Sequence, residues 1–186
     1  REAGGVDELG DGVTRDGTTA AKGYVGDIMQ GVSGPEADTV SYEHFSLGTG
    51  GVTINLDTNG NDFASATYLI GTYYHLDALY GFENAIGSTR SDTITGDGEA
   101  NVIEGMGGGD TLTGGGGVDT VSYVEAGYSV SVNLSDQTAT YEQDGDDKTD
   151  TLLGFSNIVG SSHDDSLLGN ANANEIWGGK GDDTID

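Results

Sequence analysis

Seven side chains that carry a carboxylate or amide oxygen recur at nine-residue steps, a spacing that could build repeated sites for a hard cation. They are Asp92, Asn101, Asp110 and Asp119 in a first run, and Asp165, Asn174 and Asp183 in a second. A glycine stands five residues before each of them, and an aliphatic residue stands two residues after each. A disordered acidic tail is the alternative for so acidic a chain. A disordered tail, however, would not need glycine, acidic and aliphatic residues at fixed distances from one another. The pattern therefore favours an ordered repeat.

Each nonapeptide predicts one tight turn followed by one short strand. The glycine-rich half suits the turn because glycine adopts positive φ without steric cost. The remaining three residues place one aliphatic side chain on the inner face of a strand. Two nonapeptides then complete one coil, so residues eighteen positions apart stack at about 4.8 Å, the spacing of neighbouring strands. This geometry pairs Asp92 with Asp110, Asn101 with Asp119, and Asp165 with Asp183.

Stacked acidic turns need a counter-charge. Two carboxylates about 5 Å apart repel each other by roughly 3 kcal/mol at an effective dielectric constant near 20, so a repeated stack is unstable without a cation. Glycine-rich turns also expose backbone carbonyl oxygens, and an all-oxygen cage suits calcium better than magnesium, which requires a tighter octahedron. Zinc and copper favour Cys or clustered His ligands, whereas the sequence has no Cys and only three scattered His. The predicted ligand is therefore calcium, bound as several ions.

Three segments carry a resemblance to a known family. The segments 105–113, 114–122 and 178–186 resemble the G-G-x-G-x-D-x-U-x nonapeptide of the repeats-in-toxin (RTX), or haemolysin-type, calcium-binding family. Residues 82–88 are similar to the region that precedes such repeats in large bacterial exoproteins, and the likeness covers residues 31–186 in all. It implies an all-β fold, a right-handed parallel β-roll (β-solenoid), that forms on binding calcium outside the bacterial cell, often after type I secretion.

The resemblance also implies the ligands. In the family, the sixth residue of each repeat contributes its side chain, and the carbonyls of the first four residues contribute the rest. Carried over, one site joins turns 87–92 and 105–110, a second joins 96–101 and 114–119, and a third joins 160–165 and 178–183. The implied side-chain ligands are the seven residues at nine-residue steps. The implied backbone ligands are Gly87, Thr89, Gly96, Gly98, Gly105, Gly107, Gly108, Gly114, Gly116, Gly117, Gly160, Ser162, Gly178, Lys180 and Gly181.

Four turns depart from the family pattern. Asn101 and Asn174 replace Asp, which lowers the charge of their sites, and we expect this to lower the affinity. The turns that begin at Gly87 and Gly160 lack the second and fourth glycines, so we expect their backbones to be distorted. Asn174 has no partner eighteen positions later in this sequence.

A longer unit is repeated twice along the chain. The matching blocks are 38–42 with 119–123, 52–56 with 130–134, 81–84 with 154–157, and 87–88 with 160–161. Four blocks in the same order indicate an internal duplication. They predict a first β-roll unit at 31–117 and a second at 118–186, within one continuous solenoid. Residues 1–30 form an N-terminal segment that lies outside both units and outside the resemblance.

The parts of the unit outside the nonapeptides are less regular. Residues 52–56 and 130–134 alternate with period two, which predicts longer strands that continue the roll. The two copies differ mainly in 57–75 and 135–148, which we interpret as surface loops. A short helix is predicted over 19–31.

The charge of the chain excludes several partners. There are 32 acidic residues against 6 basic ones, and the formal net charge is −26. Such a chain repels phosphate backbones, so nucleic acid and anionic membrane surfaces are poor partners. The sequence has no apolar run of about 18 residues, so no membrane insertion is expected.

Catalysis has little support in the sequence. The three His occur without an H-E-x-x-H pattern. Tyr73-Tyr74-His75 beside Asp77 could suit acid–base chemistry on a polysaccharide. Asp77, however, matches Asp150 in the second unit, where no such triplet precedes it. We therefore expect no enzymatic activity.

Three weaker signals favour other binding sites. Residues 57–62 are similar to the start of an EF-hand loop, but its sixth position is not glycine and its twelfth position is not glutamate. Residues 144–147 form a short acidic run. A solvated loop is the simpler interpretation of both segments. Trp177 and the nine Tyr could stack on a carbohydrate, but outward-facing sheet residues are the commoner explanation. A carbohydrate ligand is therefore possible in principle and unsupported.

Three functional classes follow from these patterns. The first is a secreted calcium-binding module, folded by Ca²⁺, with a structural or adhesive role in a larger exoprotein. The second is an accessory module of a secreted polysaccharide-modifying enzyme or peptidase. The third is a self-assembling extracellular subunit, in which another copy of the chain pairs end to end with the exposed strand edge beside the Asn174 turn.

Overall fold

The chain is seen in a computed structural model that describes residues 28–31, 37–44, 50–57, 64–70 and 73–186. In these residues the regular structure is β-strand alone, arranged in two sheets. The all-β class predicted from the sequence is therefore confirmed for the described part. That part contains no helix with the length and apolar character needed to cross a membrane.

The strands are numbered in chain order. They are β1 (Ile28–Gln30), β2 (Thr39–Ser41), β3 (Thr53–Asn55), β4 (Ala64–Ile70), β5 (Tyr73–Tyr80), β6 (Asn84–Ile86), β7 (Thr93–Thr95), β8 (Val102–Glu104), β9 (Thr111–Thr113), β10 (Asp119–Ser122), β11 (Ser131–Asn133), β12 (Thr138–Gln143), β13 (Asp146–Leu153), β14 (Phe155–Val159), β15 (Ser166–Leu168), β16 (Ile176–Trp177) and β17 (Thr184–Ile185). The first sheet has the order β1-β5-β4-β3-β7-β9-β13-β12-β11-β15-β17, and the second has the order β16-β14-β10-β8-β6-β2.

The nonapeptide strands form parallel ladders with an offset of eighteen residues. Thr93 of β7 pairs with Thr111 of β9, and Ser166 of β15 pairs with Thr184 of β17. β8 pairs with β10 in the other sheet with the same offset. The chain thus passes from one sheet to the other with every nonapeptide. The spacing of the sequence repeat predicted this offset.

Each repeated unit adds an antiparallel hairpin to the first sheet, where the sequence predicted surface loops at 57–75 and 135–148. β12 pairs with β13, and β13 continues parallel to β9 through Thr151 and Thr111. β4 and β5 form the matching hairpin in the first unit. For the described residues the loop prediction was wrong, because the buried positions of β12 are the small Ala139 and the polar aromatic Tyr141, which leave the two-residue alternation weak in the sequence.

Two further boundaries differ from the predictions. Ile28–Gln30 is a strand that pairs with β5, whereas a helix was predicted over 19–31, of which 19–27 lie outside the described residues. β3 and β11 span three residues each and are shorter than predicted. At the first predicted residue of each strand, the N–H groups of Val52 and Val130 donate to the carboxylates of Asp92 and Asp165 instead of to a neighbouring strand.

The core between the sheets is one aliphatic side chain deep per strand. On the first sheet the stacked side chains are Ile54, Ile94, Leu112 and Leu152; on the second they are Val40, Ala85, Ile103, Val121 and Ile158. Burying one such large aliphatic side chain contributes about 1.5–3 kcal/mol. Because each nonapeptide buries at most one, and Ile185 of the last nonapeptide is exposed, the apolar core is thin, and the polar residues at the start of each strand decide much of the stability.

Candidate metal centre

Three acidic side chains form a column along the first sheet, where Asp92 and Asp110 each precede a strand by one residue and Asp150 lies within β13. The backbone N–H of Asp92 donates to Oδ1 of Asp110 at 2.9 Å, and the N–H of Asp110 donates to Oδ1 of Asp150, also at 2.9 Å. All three residues are almost fully buried. The parallel ladder therefore places successive carboxylates one strand spacing apart.

The same contact recurs in the other two predicted pairs. The N–H of Asn101 donates to Oδ1 of Asp119 at 2.9 Å, and the N–H of Asp165 donates to Oδ1 of Asp183 at 2.9 Å. The structure thus brings together all three pairs of turns that the eighteen-residue offset predicted. In each pair the carboxylate of the later turn reaches back towards the earlier turn.

Two of these carboxylates have an oxygen with no hydrogen-bond partner in the described part of the chain. These atoms are Oδ2 of Asp110 and Oδ2 of Asp119, and both are buried. A buried polar atom without a partner costs about 1–3 kcal/mol, and more when it is charged. A cation beside these oxygens would remove that cost. These two unpartnered carboxylate oxygens test whether the turns suit a calcium ion, and they do, because a cation is the partner that they lack.

Carbonyl oxygens converge on the same places. A Cβ atom on Gly87 would lie 2.5 Å from Oδ2 of Asp92 and 2.8 Å from the carbonyl oxygen of Gly105 in the next coil. A Cβ atom on Gly160 would lie 2.5 Å from the carbonyl oxygen of Gly178. Only glycine leaves these oxygens room to approach one another. The turns consequently offer carboxylate and carbonyl oxygens alone, the donor set that calcium prefers.

Burial changes the protonation of the column. It raises the pKa of Asp110 to about 9, with the nearby charge of Asp150 as the next cause. Burial also raises the pKa of Asp92 to about 6, and it raises the pKa values of Asp119 and Asp150. Desolvation disfavours the charged form of a carboxyl group, and an adjacent cation favours it. Without a cation, burial and the charge of Asp150 therefore favour the protonated form of Asp110.

The predicted backbone ligands occupy two positions in the turns. The first residue of each turn is buried; these residues are Gly87, Gly96, Gly105, Gly114, Gly160 and Gly178. Most of the third and fourth residues are exposed at the outer rim, namely Thr89, Gly98, Gly116, Gly117, Ser162, Lys180 and Gly181. Gly107 and Gly108 differ because Gln143, at the end of β12, covers them, and the N–H of Gly108 donates to its Oε1 at 3.0 Å.

Side chains alone do not form a metal cluster. Among the described residues, no group of three or more His, Cys, Asp or Glu is arranged to hold an ion. This includes the acidic run 144–147, which lies at the tip of the β12–β13 hairpin. An ion in the nonapeptide turns would therefore depend largely on backbone carbonyls.

Sequence reasoning missed two buried aspartates that tyrosines hold. Asp150 accepts hydrogen bonds from the hydroxyl of Tyr123 at 2.9 Å and from the hydroxyl of Tyr141 at 3.0 Å. Asp77 accepts them from Tyr42 at 2.6 Å and from Tyr68 at 3.4 Å. We call these two clusters the tyrosine clasps. The available signal was the repeated block 38–42 and 119–123, which ends in Tyr42 and Tyr123.

The clasp in the first unit also bears on the catalytic alternative. Asp77 is fully buried, whereas Tyr74 is exposed. The ring of His75 stacks on the ring of Tyr68, with 5.4 Å between the ring centroids. The carboxylate of Asp77 is thus buried and accepts hydrogen bonds from two tyrosine hydroxyls.

Comparison with known proteins identifies the nonapeptides. The RTX calcium-binding nonapeptide repeat, in four copies, matches residues 86–121 and 159–186. No curated protein matches the chain. The two matched segments contain the three pairs of stacked turns, and the hairpins lie outside them. The matched segments form a calcium-binding repeat module.

Proposed function

We propose that this chain, which its residues 86–121 and 159–186 place in the RTX calcium-binding repeat family, is a secreted module that calcium folds into a parallel β-roll. The observation that carries the proposal is the pair of buried, unpartnered oxygens on Asp110 and Asp119. The alternation of strands between two sheets with an offset of eighteen residues supports the roll.

Calcium would act as a crosslink between coils. The carboxylates of Asp110, Asp119 and Asp183 and the carbonyl oxygens of the facing turns would hold the ions. A bound ion supplies positive charge where carboxylates stack, and it gives the unpartnered oxygens a partner. The residues themselves contribute the geometry, since the ladder bonds from Asp92, Asn101 and Asp165 hold each carboxylate over the facing turn.

The energetics favour folding that depends on the ion. The chain has a formal net charge of −26, which resists compaction, and its core is thin. When a site exists only in the folded state, the free energy of binding becomes free energy of folding. We therefore expect a chain that is largely unfolded without calcium and compact with it.

Such coupling suits a protein that leaves the cell. Extracellular calcium-binding modules work at the weak end of the affinity range, with Kd values of about 10⁻⁴–10⁻³ M. A chain with that affinity would stay unfolded where calcium is scarce and fold where it is abundant. We assign it a structural or adhesive role within a larger exoprotein, and no reaction of its own. The burial of both clasped aspartates supports that assignment.

Far-UV circular dichroism during a calcium titration tests the proposal. The chain is first freed of calcium with a chelator and then titrated to millimolar calcium, with magnesium as the control ion. The expected result is a β-sheet signal that rises with calcium and not with magnesium. A β-sheet signal that is complete in chelator and does not change with calcium contradicts the proposal.

A further inference from the structure

The nonapeptide turns fall into two backbone classes. The turns 105–110, 114–119 and 178–183 adopt left-handed φ at their second residue, with Met106 at +72°, Gly115 at +100° and Gly179 at +96°. They do so again at their fourth residue, with Gly108 at +130°, Gly117 at +95° and Gly181 at +120°. We call these the left-handed turns.

The other four turns contain no left-handed residue. They are 87–92, 96–101, 160–165 and 169–174, and we call them the right-handed turns. Their second residues are Ser88, Asp97, Ser161 and Asn170, and their fourth residues are Arg90, Glu99, His163 and Asn172. Each of these has a Cβ atom, which disfavours left-handed φ; Met106 is the one residue with a Cβ atom that adopts it at these positions of the left-handed turns. The distortion expected for the turns that begin at Gly87 and Gly160 is thus a different, regular conformation, which the turns 96–101 and 169–174 share.

In two right-handed turns a serine donates hydrogen bonds to the aspartate of the same turn. The Ser88 N–H donates to Oδ2 of Asp92 at 2.5 Å, and its hydroxyl donates to Oδ1 at 2.9 Å. Ser161 makes the same two bonds to Asp165, at 2.6 and 2.9 Å. The N–H groups of Val52 and Val130 add a third bond to each carboxylate. Both oxygens of each aspartate therefore already have donors.

In the other two right-handed turns an asparagine replaces the aspartate. Oδ1 of Asn101 accepts from the N–H of Asp97 at 2.8 Å, and its Nδ2 donates to the carbonyl of Glu83 at 2.7 Å. Asn174 does the same with Asn170 and Ser156, at 2.8 and 2.7 Å. The amide is neutral, and its Nδ2 is a donor that cannot bind a cation.

The left-handed turns lack these internal donors. Their second residue makes no hydrogen bond to the aspartate in the described structure, and Oδ2 of Asp110 and of Asp119 is left buried without a partner. Asp183 shares the left-handed backbone and the ladder bond from Asp165. The oxygens that need a cation thus occur where the turn is left-handed.

We propose that calcium is bound by the carboxylates of the left-handed turns alone, Asp110, Asp119 and Asp183, and that hydrogen bonds replace the ion in the right-handed turns. The inference rests on the proposed function and makes it more specific. It differs from the family pattern carried over from the sequence, in which every sixth residue is a ligand. Here Asp92, Asn101, Asp165 and Asn174 are not ligands. Each site takes one carboxylate from its later turn and carbonyls from its earlier turn.

Isothermal titration calorimetry on matched variants tests the assignment. Asp92→Asn and Asp110→Asn remove one charge each from the two stacked turns of a single site. The substitution at 92 is expected to leave the number of bound ions unchanged, since an asparagine serves the same turn in 96–101. The substitution at 110 is expected to remove one ion. Loss of an ion in Asp92→Asn, or retention of all ions in Asp110→Asn, overturns the proposal.

A second pair of variants and a crystal structure of the wild type with calcium provide independent tests. Asp165→Asn and Asp183→Asn repeat the comparison at the third site, where Asp183 is less buried, and they decide the matter if Asp110→Asn does not fold. Wild-type crystals grown with calcium need no variant. An ion within bonding distance of an oxygen of Asp92 or Asp165 overturns the proposal. If the wild type binds no calcium at all, the proposed function fails instead.

Discussion

Buried aspartates in two regions of this chain are stabilised by different means. In the hairpin units, Asp77 and Asp150 are fully buried and accept hydrogen bonds from two tyrosine hydroxyls each. In the nonapeptide turns, Asp110 and Asp119 are equally buried, but each has an oxygen with no partner among the described residues. The same buried group is therefore satisfied by neutral donors in one region and keeps an unpartnered oxygen in the other, where we propose a cation.

The difference follows from what surrounds each carboxylate. The hairpin strand β12 and the block after β10 bring two aromatic hydroxyls to Asp150. A glycine turn has no side chain that could donate. The two regions also meet, because the N–H of Asp110 donates to Asp150 and the hydroxyl of Tyr128 donates to the carbonyl of Met106 at 2.7 Å. The second-unit clasp thus lies directly against the turn 105–110.

The largest effect is expected from removing the clasped carboxylate. Asp150→Ala leaves the hydroxyls of Tyr123 and Tyr141 and the N–H of Asp110 without their acceptor. Several buried donors lose partners, so the free energy of unfolding in saturating calcium should fall by about 3 kcal/mol or more. Urea denaturation measures it, with Asp146→Ala at the exposed hairpin tip as the control. An unchanged denaturation midpoint for Asp150→Ala would show that the clasp is not structural.

Acid should stabilise the calcium-free fold. Burial raises the pKa of Asp110 from an ordinary 3.8 to about 9, so between these values the folded state holds a proton that the unfolded state lacks. Folding then becomes more favourable as pH falls from 9 towards 4 and less favourable as pH rises. With calcium present the trend reverses, because the ion must displace that proton.

Calcium titrations followed by far-UV circular dichroism at pH 8.5 and pH 5.5 check this sign. The folded fraction in chelator should be larger at pH 5.5 than at pH 8.5, and the increase on adding calcium should be larger at pH 8.5. A smaller folded fraction in chelator at pH 5.5 contradicts the protonation of the nonapeptide column.

Adding one methyl group should weaken calcium binding at the inner face of a turn and have little effect at its outer rim. A Cβ atom on Gly105 would collide with Oδ2 of Asp110, whereas one on Gly98 meets no atom within 4 Å. Gly105→Ala should weaken calcium binding at least about tenfold, which corresponds to about 1.4 kcal/mol. Gly98→Ala should leave the affinity within a factor of about two. Calorimetric affinities for the two variants decide it, and equal affinities would place the ion away from Asp110.

The smallest effect is expected from one clasp hydroxyl. Tyr141→Phe keeps the ring stacked on Tyr128, where the centroids are 4.6 Å apart, and removes only the bond to Asp150. The loss should be about 1 kcal/mol, and it should be the same at moderate and at saturating calcium. Denaturation at the two calcium concentrations measures it. A loss that disappears in saturating calcium would mean that an ion can replace the hydroxyl, which contradicts the separation of the two regions.

The sequence alone determined the ladder of the nonapeptides. A strict period of nine, with one turn and one strand in each period, makes residues eighteen apart neighbours, so the pairing of Asp92 with Asp110 and of Asp165 with Asp183 could be predicted. Residue type also settled the chemistry, because a chain without Cys and with its carboxylates in phase offers oxygen ligands.

Tertiary structure alone decided which carboxylates have partners. Asp150 joins the column because the hairpin register places Thr151 beside Thr111, a pairing between strands that are distant in sequence and follow no period. Whether an aspartate is left open depends on the sign of φ two residues into its turn and on donors such as Val52, which arrive from another coil. The sequence determines the spacing of neighbouring turns, but the hydrogen-bond partners of a buried polar atom come from every segment that packs around it.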